Sequence, residues 1–405
     1  MNITEKVLMS PGTMSIRQTP GRREQLSTRI VFFIAGFGMA AWAPLVPFAK
    51  IRANIDDGLL GLLLLCLGAG SIVAMPLAGA LAARLGCRLV IIFSTGLMCL
   101  TLPLLATVSS IPQLVASLLV FGAGIGSLDV AMNIQAVIVE RASGQTMMSG
   151  FHGLFSLGGI VGAAGITVLL GAGASPLTAI WCVIAGVAVA LALSASHLLT
   201  YGSKNEGPAF AIPHGIVLFI GALCFILFLT EGAVLDWSAV FLTSVGGMDA
   251  SHAGLGYAAF ALTMTIGRLT GDRIVRSFGP VRIVIYGGLC AAGGVALATL
   301  ISSWQVALLG YALVGVGCSN IVPVLFSSVG RQTIMPENVA IPAITTLGYA
   351  GILVGPAAIG FVSHSSNLQT AFMILAVLLI GVAASGRLLR VEKNRRTFPT
   401  RDAGA

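Results

Sequence analysis

The sequence predicts an all-α polytopic membrane protein with twelve transmembrane helices in two six-helix, pseudo-symmetric bundles. Three observations predict this fold: few charged residues, regularly spaced apolar runs, and a set of glycine-containing segments that occurs twice. Charged residues make up 9% of the chain and apolar residues 57%, whereas a soluble domain carries about 25% charged residues. Most of the surface is therefore expected to face lipid.

The apolar runs have the length that a membrane helix requires. A helix needs roughly 20 apolar residues to cross the hydrocarbon core of a bilayer. The predicted spans are 28–49, 59–82, 89–108, 112–139, 147–171, 176–199, 213–242, 253–274, 281–301, 304–330, 339–363 and 368–389. Turn-forming residues separate them, as in Gly173–Pro176. The 51 glycines favour close packing of such helices.

The basic residues predict the orientation, since cytoplasmic loops carry an excess of Lys and Arg. With both termini in the cytoplasm, every Lys and Arg falls on that side except Lys50 and Arg52, with Arg268 counted among the cytoplasmic group. The net charge of +8 is thus explained by topology, and no nucleic-acid partner is expected. We predict a monomeric, multi-pass protein of a bacterial inner membrane.

An internal repeat divides the chain, with matching features about 190–195 residues apart. Trp42 matches Trp237, and a repeated Gly-x-Gly places Asp129 near Asn320. The glycine pair at 158 and 162 matches the pair at 351 and 355. The predicted segments are a cytoplasmic tail 1–27, a first bundle 28–200, a cytoplasmic linker 201–212, a second bundle 213–390 and a cytoplasmic tail 391–405.

Two repeated halves around a central site are typical of secondary transporters, in which the halves rock about a site near the midplane. A transporter-like receptor or a membrane-embedded enzyme is the alternative class. The sequence has no Walker loop, no HExxH, no GxSxG, and its seven cysteines occur singly. We therefore expect no catalytic residue, no cofactor and no metal site.

The segment after the second span carries a family resemblance. It resembles the G-x-x-x-D-[RK]-x-G-R-[RK] signature of the major facilitator superfamily, in which Ala83 replaces the acid and Cys87 the first closing basic residue. A looser second copy begins at Gly267 and ends at Gly279. The resemblance implies a conformational latch between the halves, formed by Gly79, Arg84, Gly86, Arg88, Asp272 and Arg273. Alternatively, the arginines only anchor the topology.

Within this superfamily, the fourth span resembles the fucose–proton symporter branch, and permeases proposed to take up rhizopine are more similar still. The shared feature is a carboxylate followed four residues later by Asn, here Asp129 and Asn133. The antiporter signature G-x-x-x-G-P is absent because Ala163 follows Gly162, which favours uptake. The resemblance implies proton-coupled uptake of a small polar organic solute, such as a sugar or sugar derivative. Proton-driven efflux of amphiphilic compounds is the alternative.

Three acids lie well inside apolar runs, although a charged side chain at the bilayer centre costs roughly 2.5–3.5 kcal/mol on insertion scales. Asp129 is the first proton-coupling candidate; a structural hydrogen bond is the alternative. Asn133, on the same helix face, is a substrate-binding candidate that could bond a substrate hydroxyl or the acid itself. Glu231 is the second candidate for proton or substrate binding, or else forms an interhelical bond. Asp236 is a candidate gate to the substrate site, or a wetted neighbour of an interfacial Trp.

Four further residues are candidates for contact with substrate. His152 titrates near neutrality and opens the fifth span, where helix-end packing is the alternative. Asn320 and Tyr349 are expected near the midplane, where polar groups need partners. Trp42 offers a ring that can stack on a sugar face, or it packs within the bundle.

Overall fold

The computed structural model describes residues 20–55, 57–203, 212–245, 247–248, 252 and 254–389. Most of the predicted linker 201–212, the first 19 residues of the predicted tail 1–27, and the tail 391–405 lie outside the described residues. The helices of the first half are α1 (Arg22–Ala40), α2 (Val46–Ala53), α3 (Asp57–Leu85), α4 (Cys87–Thr107), α5 (Ile111–Ser143), α6 (Met148–Gly171) and α7 (Pro176–Ala195). A 3-10 turn, Ala43–Leu45, joins α1 to α2, so these two helices form one span.

The second half repeats this plan, with its break in a different span. Its helices are α8 (Gly215–Ser244), α9 (Leu255–Phe278), α10 (Pro280–Leu300), α11 (Trp304–Cys318), α12 (Ile321–Val329), α13 (Glu337–Ser365) and α14 (Leu368–Ser385). The helices α11 and α12 form one span interrupted at Ser319–Asn320, and the 3-10 turn Gly386–Leu389 extends α14. The prediction of an all-α fold of two six-span halves is confirmed.

In the part of the chain that the structure describes, eleven segments are long and apolar enough to cross a membrane. The twelfth span is α9, which has 24 residues but a lower hydropathy because Arg268, Asp272 and Arg273 lie in it. It packs between α6 of the first half and α11 of the second half. Its position is therefore that of a bundle helix despite its charges.

Local sequence signals set several helix starts. The Ser175 Oγ accepts a hydrogen bond from the Thr178 backbone N at 3.1 Å, and Pro176 occupies the first turn of α7. The Asn367 Oδ1 accepts one from the Thr370 backbone N at 2.8 Å at the start of α14. Such caps satisfy N–H groups that a helix start leaves without partners. The predicted break at 173–176 thus falls at a capped helix start.

The repeated glycines join equivalent helices in the two halves. A Cβ on Gly158 of α6 would collide with the Phe33 carbonyl oxygen of α1. A Cβ on Gly351 of α13 would collide with the Phe225 carbonyl oxygen of α8. Because glycine has no side chain, the backbones approach closely at both places. The pairs α1–α6 and α8–α13 are therefore related by the repeat.

The halves meet along two helix pairs, α3 with α13 and α6 with α9. We call the end of the bundle at which α1 begins and α5 ends the basic end, since Arg22, Arg141 and Arg276 lie there. The other end is the opposite end, where Arg52 Nε donates to the Val108 carbonyl at 2.8 Å. That bond caps the end of α4 and gives this outlying arginine a structural role.

Candidate functional site

Asp129 and Asn133 lie on one face of α5, at the middle of the bundle. The Asn133 Nδ2 donates to Asp129 Oδ1 at 3.2 Å and to the Asp129 carbonyl oxygen at 2.9 Å. Asn133 is fully buried and its Oδ1 has no partner, whereas Asp129 is partly accessible. Since α5 rises about 1.5 Å per residue, Asp129 lies about 21 Å from the end of α5 at Ser143. Asp129 therefore lies at mid-depth in its span.

Glu231 of α8 faces Arg268 of α9 in the second half. Their closest side-chain atoms, Oε2 and Nη2, are 3.7 Å apart, and 27% of the Glu231 side chain is exposed. The Arg268 Nη1 donates to the Ser156 Oγ of α6 at 2.9 Å, across the boundary between the halves. Arg268 is only 6% exposed, and its Nε has no hydrogen-bond partner. A buried guanidinium thus connects both halves near the centre.

Tyr349 of α13 lies within electrostatic range of both carboxyl groups, Asp129 of the first half and Glu231 of the second. The Phe228 ring lies 6.4 Å from the Tyr349 ring between centroids. Three of the predicted residues, Asp129, Glu231 and Tyr349, therefore lie in one region of the bundle to which both halves contribute.

His152, in the first turns of α6, lies nearer the basic end. Its ring contacts Phe32 of α1 and Phe326 of α12, with centroids 5.3 Å and 5.6 Å away. The Nε2 is buried without a partner, and the ring interacts electrostatically with Arg268. His152 therefore packs among aromatic rings of α1 and α12, within electrostatic range of Arg268.

The structure does not bring Trp42, Asp236 or Asn320 to the Asp129 carboxyl. Trp42 is 5% exposed, within the apolar core of the first half, and its Nε1 has no partner. Asp236 is exposed beyond Glu231 towards the opposite end. The Asn320 Nδ2 donates to the Gly267 carbonyl at 3.1 Å and to Ser319 Oγ at 3.0 Å. Asn320 thus holds the interrupted span α11–α12 against α9.

At the basic end, Asp272 of α9 forms hydrogen bonds that join the two halves. Its Oδ1 accepts from the Gly150 backbone N of α6 at 3.1 Å, and its carbonyl oxygen accepts from Thr146 Oγ1 at 2.9 Å. From the first half itself, Glu140 Oε2 accepts from the backbone N of Met147 and of Met148, both at 2.8 Å. Two carboxylates from different halves therefore cap one helix start, where negative charge is favoured.

The other predicted latch residues have different surroundings. A Cβ on Gly79 would meet the Asn338 carbonyl oxygen and Pro342 of α13, so this glycine lies at the boundary between the halves. Gly86 has a φ of 87° and faces the backbone of Thr200 instead. Arg84 and Arg273 are exposed and Arg88 is half-buried. Neither the Arg141–Glu337 ion pair nor the Arg268–Glu231 ion pair includes any of these three arginines.

Sequence reasoning missed Arg268, which was counted with the cytoplasmic basic residues. The structure places it inside the bundle, and this assignment was wrong because charge was considered without helix depth. The available signal was its position inside the apolar run 253–274, where an ionisable residue indicates function. Glu140 and the Arg141–Glu337 ion pair between α5 and α13 were also missed. Both lie at span ends, where charges are common.

Twelve spans in two related halves, with polar side chains of both halves meeting inside the bundle, are typical of a membrane transporter. A family model for the Major Facilitator Superfamily matches residues 29–340, and the chain belongs to this superfamily. The family resemblance noted in the sequence is therefore confirmed.

Several curated proteins are similar over nearly their whole length. An uncharacterized MFS-type transporter of Yersinia pestis is 56% identical over 369 residues, which cover 91% of this chain and 96% of the relative. Membrane protein MosC of Rhizobium meliloti is 30% identical over 387 residues, covering 95% of this chain and 94% of the relative. These similarities make the chain a multi-pass membrane transporter.

Solved structures share the fold at low sequence identity. The fucose:proton symporter FucP of E. coli superposes with a TM-score of 0.74 at 17% identity, covering 91% of this chain and 98% of that chain. The proton:xylose symporter XylE superposes with a TM-score of 0.68 at 14% identity, covering 90% and 94% of the two chains.

Proposed function

We propose that this transporter takes up a small, polar, neutral organic solute, such as a sugar or sugar derivative, together with a proton. The observation behind this proposal is that Asp129 of the first half and Glu231 of the second both lie within electrostatic range of Tyr349 inside the bundle. Hydroxyl groups of a solute can donate to the carboxylates and accept from the tyrosine. The FucP and XylE neighbours, named as proton symporters of fucose and xylose, support the same class.

Alternating access requires a seal that can move from one end of the bundle to the other. Contacts between the halves extend from mid-depth, where Gly68 of α3 faces Leu353 of α13, to the Arg141–Glu337 pair at the basic end. This arrangement supports a state closed at the basic end. With the basic end in the cytoplasm of a bacterial inner membrane, and both termini there, that state would admit solute from outside.

We assign the proton to Asp129. Glu231 lies beside the cationic Arg268, whereas Asp129 has no cationic partner among the described residues and bonds only to Asn133. A proton on Asp129 would therefore neutralise an acid that no neighbouring cation balances, before the halves rock. The transporter is expected to act as a monomer, since both halves of the site belong to one chain.

Proteoliposomes test this function. The purified protein, reconstituted and exposed to an inwardly directed proton gradient, is expected to accumulate labelled neutral sugars above the equilibrium level. A protonophore should abolish the accumulation, and solute addition should move protons in the same direction. Solute-driven proton movement in the opposite direction would favour the efflux alternative and contradict uptake.

A further inference from the structure

The polar cluster around Arg268 has unused hydrogen-bonding capacity. A guanidinium has five N–H donors, but the Arg268 side chain makes a single hydrogen bond to the described residues, to Ser156 Oγ at 2.9 Å. Its Nε is buried without a partner. The 3.7 Å separation between Nη2 and Glu231 Oε2 is too long for a hydrogen bond. Glu231 therefore balances the charge of Arg268 while leaving donors of the guanidinium free.

The Nη2 donors face Glu231 beyond hydrogen-bond distance, so a ligand that supplies an acceptor there is stabilised. Glu231 provides the complementary acceptor, because 27% of its side chain is exposed and its carboxyl accepts no hydrogen bond from the described residues. A donor group and an acceptor group thus lie side by side between α8 and α9. This arrangement matches two adjacent hydroxyls, one of which accepts from Arg268 while the other donates to Glu231.

The balanced charge of the Arg268–Glu231 pair also indicates which solutes are disfavoured. A carboxylate on the solute would be attracted by Arg268 but repelled by Glu231, and an ammonium group would meet the reverse situation. A neutral diol meets neither repulsion. The neighbouring His152, whose Nε2 is buried and unpaired, adds a further polar group on α6 without forming an ion pair with either residue.

The geometry points to Arg268 and Glu231 as the subsite that selects the solute, by binding a pair of adjacent hydroxyls of a neutral compound. This assignment rests on the proposed function. It gives solute recognition to Glu231 of α8 and Arg268 of α9, while Asp129 binds the proton. Ser156 holds the guanidinium fork from the other half, so the subsite is complete while α6 and α9 remain in contact.

Equilibrium binding to the full-length protein in nanodiscs tests the assignment without a proton gradient. The probes are neutral hexoses and hexitols, their singly deoxygenated derivatives, and the corresponding uronates and 2-amino-2-deoxy sugars. Wild type is expected to bind at least one neutral compound more tightly than its uronate and its amino derivative. Failure of every neutral compound to bind at millimolar concentration, or a preference for a charged derivative, would overturn the proposal.

Variants then identify the residues. Arg268→Lys keeps the charge but removes the planar set of guanidinium N–H donors. It is expected to weaken binding of the neutral probe by about tenfold or more. It should also abolish the preference for the parent compound over the deoxygenated derivative, which a merely structural defect would not do. Arg276→Lys, an exposed arginine on the same helix, should bind as wild type does.

A folding control keeps the test decisive. The double variant Glu231→Gln, Arg268→Gln removes both charges together, so no unpaired buried charge remains. It should retain the wild-type melting temperature without solute and lose selectivity for the neutral probe. Wild-type selectivity in either variant would reject the subsite even if proton-coupled uptake holds. If the binding results are those expected for the subsite but transport is not coupled to protons, only the proposed function is rejected.

Discussion

The Asn133 amide lies one helical turn from Asp129 and donates to both its side chain, at 3.2 Å, and its backbone carbonyl, at 2.9 Å. This double contact fixes the amide and engages one carboxyl oxygen of Asp129. Asn133 is completely buried, whereas Asp129 is partly accessible. The pair therefore joins a buried, fixed donor to a partly accessible acidic residue.

Asp129→Asn is expected to abolish proton-driven accumulation of solute while sparing exchange of labelled for unlabelled solute. The amide is similar in size to the carboxyl group but cannot bind and release a proton at neutral pH. Uptake against a gradient and counterflow, measured in the same proteoliposomes, separate the two activities. Full accumulation by this variant at alkaline pH would remove Asp129 from the proton pathway.

Asn133→Ala gives a comparison on the same helix face. It removes the donor to the carboxyl but keeps the acid itself, so accumulation should persist with an altered pH dependence. Equal loss of accumulation and exchange in both variants would indicate a structural role for the pair.

Asp272→Ala is expected to weaken closure of the basic end. The Gly150 amide loses its carboxylate partner, and hydrogen bonds to charged groups contribute about 1.5–3 kcal/mol. Amide exchange in the first turn of α6 should accelerate by roughly tenfold or more, and it should also rise at the start of α13, because the halves separate. Hydrogen–deuterium exchange with mass spectrometry measures both segments.

Glu140→Ala is the matched control for that experiment. Glu140 caps the same helix start from its own half, so its loss should accelerate exchange in α6 but not in α13. The same exchange pattern in both variants would contradict the assignment of Asp272 to closure.

The Arg141–Glu337 ion pair across the basic end predicts a charge-reversal pattern. Arg141→Glu places two acids together and should lower the initial uptake rate several-fold, since exposed pairs contribute about 1 kcal/mol or less. The exchanged pair Arg141→Glu, Glu337→Arg should recover most of the rate in membrane vesicles. A double variant as slow as the single one would show that the pairing does not matter.

Two glycines of α6 give a packing prediction. Gly158→Ala places a methyl group against the Phe33 carbonyl of α1, and overpacking of this kind costs about 1–3 kcal/mol. At Gly165 a Cβ has nothing within 4 Å, so Gly165→Ala should be neutral or slightly stabilising. Thermal unfolding in detergent compares the two, and equal melting temperatures would contradict close α1–α6 packing.

Features that depend on neighbours along the chain could be predicted from the sequence. Hydropathy is a property of consecutive residues, and it located the twelve spans, although the structure extends α1 back to Arg22 and α5 on to Ser143. The glycine repeat likewise divided the chain into two halves. The acid of span 4 and its Asn were found because an ionisable group inside an apolar run is visible without any contacts.

The tertiary structure alone decided which polar groups meet. Ser156 and Arg268 are 112 residues apart in sequence, and their hydrogen bond depends on the depth and rotation of α6 against α9. Helix depth and rotation also place the Asn320 amide against the Gly267 carbonyl rather than towards Asp129. Neither depth nor rotation can be read from composition or hydropathy. The sequence by itself therefore determined a two-fold repeated membrane bundle with acids inside its spans, and only helix packing placed Arg268 between Glu231 and Ser156.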